Sequence, residues 1–320
     1  MTLPKNNQRN QESRPDFRQL RTLWPVHAMM LLSAGLVSTS FTVGKAIAGG
    51  MHPAVLTLIR FIIAALLFLP FIVRQYGAKI PDARSLLGYA SISFALTGFF
   101  WLMFLSLRST TALNTGVIFT LVPGISGLYS AVLLRERLGK YRLLAMIPAA
   151  VGATWVLFHG SLQQLLAFNL HSGDLIFFGG CLLMAFYTPL VRLFHQGEPM
   201  SVMTFWILVT GSGWLLLFSG HRLPQVPWSD ISLKVWAGIV YLAVFSTIIT
   251  FFLSQLCTLY LGPTRVMAYS YLYPPFILLI ERLFGHPLPS VRVLPGIALI
   301  AAAMLIVQQG AEGSENMKKT

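Results

Sequence analysis

Two stretches read together decide the fold: Leu107 to Pro123 (LRSTTALNTGVIFTLVP) and Thr258 to Pro274 (TLYLGPTRVMAYSYLYP), which align without a gap when Pro123 is set over Pro274. Few identities survive, but each is a largely apolar run that meets a proline at the same position. Working outward, Pro53 opens the second apolar run of the first half, as Pro199 precedes the second run of the other. Lys45 closes the first run as Arg192 closes the sixth. Such self-similarity is the mark of an internal repeat. Each copy holds five apolar runs, an odd number, so the second copy enters a membrane upside down relative to the first.

The runs themselves are long. They lie near Trp24–Gly44, Pro53–Val73, Leu86–Leu107, Asn114–Leu134 and Leu143–Phe158 in the first half, and Asp174–Val191, Ser201–Ser219, Leu233–Leu253, Val266–Ile280 and Val291–Val307 in the second. Turn-rich or charged separators divide them, among them Gly49-Gly50, Pro81-Asp82 and Gly197-Glu198-Pro199. A spanning helix needs roughly 20 apolar residues, so ten take up about 200 positions. Barrel strands alternate in polarity and are shorter, which leaves helices. Composition agrees: of 320 residues 55% are hydrophobic and 10% charged, and mean hydropathy is +0.69, which excludes a water-soluble enzyme.

The expected fold class is an all-α polytopic membrane protein, ten transmembrane helices as two inverted five-helix repeats. The first repeat is expected over residues 24–160 and the second over 172–308, between an N-terminal tail (1–23) and a C-terminal tail (309–320). The first tail is polar, lacks a signal-peptide core, and reads as disordered.

Charge orients the chain. With the N-terminus inside, sixteen Lys and Arg fall on the inner side and six on the outer (Lys45, Arg108, Arg222, Lys234, Arg282 and Arg292), while Arg60 lies within a span. This bias predicts that both termini face the cytoplasm of a cell inner membrane. It also accounts for the net charge of +13 without a nucleic-acid partner. Cys181 and Cys257 fit neither a disulfide framework nor a metal spacing. No phosphate-cradling loop and no paired His-carboxylate pattern is present, so neither a catalytic residue, a metal site nor a cofactor is expected.

Several local patterns resemble a known family. Ser40-Phe41-Thr42-Val43-Gly44-Lys45, Pro53, Leu58-Ile59-Arg60-Phe61, Pro123 with Glu136-Arg137-Leu138 thirteen residues on, and Gly152 are similar to the EamA-type half of the drug/metabolite transporter superfamily. In the second half Ala185-Phe186-Tyr187 and Tyr273-Pro274 resemble the same pattern. Gly285-His286-Pro287-Leu288 departs from it, with His286 where an acidic residue is expected. The resemblance covers roughly residues 26 to 308. It implies a secondary exporter of small organic metabolites such as amino acids or drugs, working by alternating access, with lipid as its surroundings and protons as a candidate coupling ion.

Individual residues admit more than one reading. Pro123 and Pro274 are hinge candidates, or tolerated kinks. Arg60 is costly in a span unless paired; it either binds a substrate carboxylate or reaches a loop carbonyl or headgroup, and the structural reading is preferred. Lys45 reads as an interfacial anchor. Glu281 is the candidate proton site, against an interfacial charge paired with Arg292. Asp174 reads as a helix N-cap. Ser40, Trp101, Asn114, Tyr187, Tyr269 and Tyr273 form the expected lining of a substrate cavity, whose aromatic faces suit apolar or cationic molecules. Ala34, Ser38, Ala149, Ala153, Ala298 and Ala302, spaced by four, predict close helix contacts. Two rival classes remain: an integral-membrane enzyme acting on lipid or isoprenoid substrates, and a membrane sensor that moves nothing.

Overall fold

In the computed structural model, residues 24–77, 80–135, 140–166, 171–287 and 289–316 are described. The expected tail at 1–23, the Glu136-Arg137-Leu138 motif, Leu288 and residues 317–320 lie outside them. Among the described residues the chain is helical, with no strand. The first half comprises α1 (Trp24–Ile47), α2 (Pro53–Tyr76), α3 (Ala83–Ser106), α4 (Ala112–Phe119), α5 (Val122–Leu133) and α6 (Lys140–Leu157). A short α7 (Leu162–Leu166) links it to α8 (Ser172–Phe194), α9 (Met200–Ser219), α10 (Leu233–Ala243), α11 (Thr250–Ala268), α12 (Tyr273–Leu283) and α13 (Leu294–Asn316). Among the described residues eight stretches are long and apolar enough to cross a bilayer; α6 and the broken stretch 263–283 bring the spans to ten. The backbone of α13 stays helical to Asn316, beyond the expected end of the last span at Val307.

Three spans are interrupted, each for a local reason. The fourth breaks between α4 and α5, where Thr120 and Leu121 bond to carbonyls three residues back and Pro123 takes the second position of α5. There its missing N–H is one that a helix start leaves unpaired anyway. The ninth repeats this: the 3-10 turn Tyr269–Leu272 precedes α12, whose second residue is Pro274. The eighth carries a π-helical turn over Val244–Ile249 between α10 and α11. The eighth and ninth spans meet at Gly262, whose φ of 75° turns the chain where a side chain would resist.

The halves pack as an inverted pair. The second span meets the seventh (α2 and α9), the fourth meets the ninth (α4 and α12), and the fifth meets the tenth (α6 and α13). These are the contacts a two-fold axis in the membrane plane passes through. Several of the other contacts come in exchanged pairs: α3 against α8 answers α1 against the eighth span, and α3 against α9 answers α2 against α10. At the seam of α6 and α13 the backbones touch, because a Cβ on Gly152 would lie 2.4 Å from the Gly296 carbonyl oxygen. Ala149 and Ala153 are buried there as the four-residue spacing predicts. On α13, however, the buried face is Gly296, Ile300, Ala303 and Val307, while Ala298 is exposed and Ala302 only half-buried. Large apolar side chains such as Leu66, Val132, Ile147 and Leu217 point outward; in hydrocarbon such a surface is the stable one.

Candidate functional site

At the centre, between the halves, lies a cavity of about 180 Å³. The first half supplies Val37, Ser40 and Phe41 from α1, Arg60 from α2, Leu96, Phe99, Phe100 and Met103 from α3, and Phe119 from α4. The second supplies Met184, Ser246, Thr250, Phe251, Ser254 and Tyr273. The aromatic rings interlock at the wall: Phe119 stands 6.0 Å from Phe41, 5.6 Å from Phe99 and 5.4 Å from Tyr273, centroid to centroid. The hydroxyls of Ser40 and Thr250 donate to carbonyls of their own helices, at 2.6 and 3.3 Å, so what they turn to a guest is acceptor capacity.

Arg60 is 0% exposed. Its Nε and Nη2 both donate to Thr247 Oγ1, at 3.1 and 2.9 Å, and Nη2 also reaches the Ser246 carbonyl at 3.3 Å. Phe100 lies under the guanidinium, 4.3 Å to the ring centroid, a favourable cation–π placement. The π-helical turn makes this possible. Its wider pitch lets Thr247 donate to the Leu242 carbonyl, five residues back, at 3.0 Å, and turns Ser246 and Thr247 toward α2. Such turns recur at functional sites.

The expected lining divides. Ser40 and Tyr273 are in the cavity wall, and Arg60 joins them. Trp101 instead lines a separate groove of about 250 Å³ between α3, α8 and α9, with Phe94, Gly98 and Phe218. Tyr187 packs into the apolar cluster of α2, α3 and α9 around Leu58 and Phe61. Asn114 and Tyr269 belong to two polar contacts at opposite ends of the molecule. At the Arg108 end, the buried carboxylate of Asp174 accepts from the Thr110 hydroxyl and from Asn114 Nδ2, the latter 3.2 Å from each oxygen. Asp174 is therefore not the N-cap; His171 holds that position, and Asp174 sits in the first turn of α8. At the Glu198 end, His27 Nδ1 shares a hydrogen bond with the Tyr269 hydroxyl. His27 and Asp174 are 147 residues apart, the spacing that separates Lys45 from Arg192, so these two residues are counterparts under the repeat, and each contact joins the first span of one half to the fourth span of the other.

Glu281 lies away from the cavity, 3.7 Å from His286 Nδ1. Lys45 donates to the Leu107 carbonyl at 2.8 Å, and Arg108 to the carbonyls of Ala48 and Met51 at 2.9 and 2.7 Å. These cations neutralise helix C-terminal carbonyls. A second groove, of about 300 Å³, opens between α2, α9 and α11 and is lined by Phe71, Tyr76, Met200 and Thr204 among others. Phe251 stands in its wall and in that of the central cavity. Residues that sequence reasoning missed are the phenylalanines at 41, 99, 100 and 119 and the pair Ser246-Thr247.

Comparison with known proteins follows the same outline. The model of the EamA-like transporter family matches residues 24–158 and again 171–308. The chain is 24% identical over 282 residues to the uncharacterized transporter YyaM of Bacillus subtilis (strain 168), covering 87% of this chain and 92% of that one. It is 22% identical over 245 residues to the uncharacterized transporter YetK of the same organism, covering 76% and 72%. A solved crystal structure superposes with a TM-score of 0.65 over 91% of this chain and 99% of its own, at 18% identity, a likeness of fold.

Proposed function

Since the chain belongs to the EamA-like transporter family, we propose that it exports a small organic metabolite such as an amino acid or a drug-like molecule, by alternating access, with the central cavity as its substrate site. One observation carries this reading: both inverted halves wall the same chamber, so a rocking of one against the other exposes it first to one side and then to the other. The counterpart contacts, His27 with Tyr269 and Asp174 with Thr110 and Asn114, are suited to close the two ends in turn. The breaks at Pro123 and Pro274 serve as the points where the fourth and ninth spans flex. The membrane is the cell inner membrane, with both ends of the chain cytoplasmic, as the Lys and Arg distribution favours.

Protons are the coupling ion in this proposal, and Glu281 carries them, beside His286 and next in sequence to Arg282. Glu281→Gln then abolishes the pH dependence of flux; an unchanged dependence removes Glu281 from the scheme. The decisive test of transport labels Ser40→Cys, in a background with Cys181 and Cys257 replaced, with a membrane-impermeant maleimide. Labelling from each face in turn is the expected result, and labelling from one face alone overturns alternating access. Flux into proteoliposomes separates a transporter from a sensor or a membrane enzyme of the same fold.

A further inference from the structure

Among the described residues Arg60 is the only charged side chain in the wall of the central cavity, and part of it is uncommitted. The edge bearing Nε and Nη2 is taken by Thr247. Nη1 is buried and has no hydrogen-bond partner, and among the described residues no carboxylate stands within ion-pair distance of the guanidinium. Thr247 is used up, since its hydroxyl accepts from both nitrogens and donates to the Leu242 carbonyl. A hydroxyl, a carbonyl and a phenyl face spread the charge but do not neutralise it. A buried cation left in this way is unfavourable until an anion joins it. Arg108 shows the contrast: it is exposed, and its Nε and Nη2 donate to the carbonyls of Ala48 and Met51 beyond the end of α1.

Resting on the transport reading above, we propose that Arg60 Nη1 is the carboxylate-binding subsite of the cavity. The transported class is accordingly a small organic anion: one carboxylate on an aromatic or branched apolar body that fits against Phe41, Phe99, Phe119 and Tyr273. Nη1 donates to the carboxylate, while Nε and Nη2 stay with Thr247 and the Ser246 carbonyl. The hydroxyl oxygens of Ser40 and Thr250 remain as acceptors for any donor the substrate carries next to its carboxylate. Because Nη1 is closed off, the anion reaches it only when the rings above it part, as in a chamber that opens to one side. A cationic guest, which the aromatic wall alone would suit, meets the unneutralised guanidinium instead.

The test uses the full chain in lipid nanodiscs and three probes with one body: 3-phenylpropionate, 3-phenylpropionamide and 3-phenylpropylamine, with binding followed by intrinsic tryptophan fluorescence. The carboxylate is expected to bind about tenfold or more tighter than the amide, the scale of one charged hydrogen bond, and the amine most weakly. Arg60→Gln removes the preference for the carboxylate, and Arg60→Lys retains part of it. Because Arg60 also ties α2 to the π-helical turn, thermal melting verifies that each variant is folded. The wild-type comparison of the three probes needs no variant. Equal binding of carboxylate and amide, preference for the amine, absence of binding by all three, or a preference that survives Arg60→Gln overturns the assignment. Ser40→Cys labelling keeps the two readings apart: if it alternates between faces while the probes do not discriminate, the anion subsite fails alone.

Discussion

Thr247 is the residue on which the Arg60 environment turns, since it accepts from two guanidinium nitrogens while buried to 1% exposure. Thr247→Val keeps the shape and removes the one oxygen that accepts both bonds, leaving a buried charge with poorer company. The expected loss is about 1–3 kcal/mol of stability, read as a lower melting temperature in detergent, whereas Thr247→Ser loses far less. His52, in the turn before α2, offers a pH test. Burial, and then Arg222, Arg108 and His221, hold its imidazole below the ordinary value of 6.5. The unfolded chain therefore takes up a proton at this position at higher pH than the folded one does. Stability is unaffected above about 6.5 and declines as the pH falls from there through the lowered folded value. His52→Phe flattens that acid decline in a melting series from pH 7 to pH 5. Arg60 was visible in the sequence because a lone charge in an apolar run is conspicuous. Thr247 was not, because only the tertiary fold brings it to α2. Nor were Phe41, Phe99, Phe100 and Phe119, since the chain has 23 phenylalanines and composition does not say which of them face a void.

Helices whose ends are marked by proline, glycine or charge were legible as elements; departures within a span were legible only where a proline stands. Pro123 and Pro274 marked the two broken spans because a missing N–H writes itself into the sequence. The π-helical turn over Val244–Ile249 has no such residue; its extra residue per turn is held by contacts with α1 and α2, among them Ser246 Oγ to the Leu36 carbonyl at 3.1 Å. Deleting Phe245, which is exposed, restores α-helical pitch and rotates Ser246 and Thr247 away from Arg60. The expected outcome is an inserted protein with lost transport, checked by proteoliposome flux beside membrane-fraction yield. The α6 and α13 seam yields another prediction. Gly152→Ala places a methyl group 2.4 Å from the Gly296 oxygen and forces the helices apart. The cost is about 1–3 kcal/mol, against the roughly 1 kcal/mol that alanine gains in helix propensity. Small-residue spacing announced α6 correctly but misplaced the face of α13, because alanines at 298, 301, 302 and 303 offer more than one stripe.

For the molecule as a whole, the inverted duplication was the most legible feature, since two copies of one unit leave matched prolines at 123 and 274 and a basic residue at matched run ends, Lys45 and Arg192. What duplication does not reveal is which paired positions do the same work: His27 and Asp174 share a place in the repeat yet no chemistry. If they close opposite ends, their removal acts in opposite directions. Asp174→Asn is expected to raise Ser40→Cys labelling from the Arg108 side, and His27→Ala from the Glu198 side; equal change from both sides counts against the idea. The glycine contact between α6 and α13 finally bears on how the halves move. Helices that meet main chain to main chain have little slack, so that flank behaves as a fulcrum. Leverage is greatest at the opposite flank, where α2, α9 and α11 border the large groove, and the jaws of the protein are therefore to be sought there.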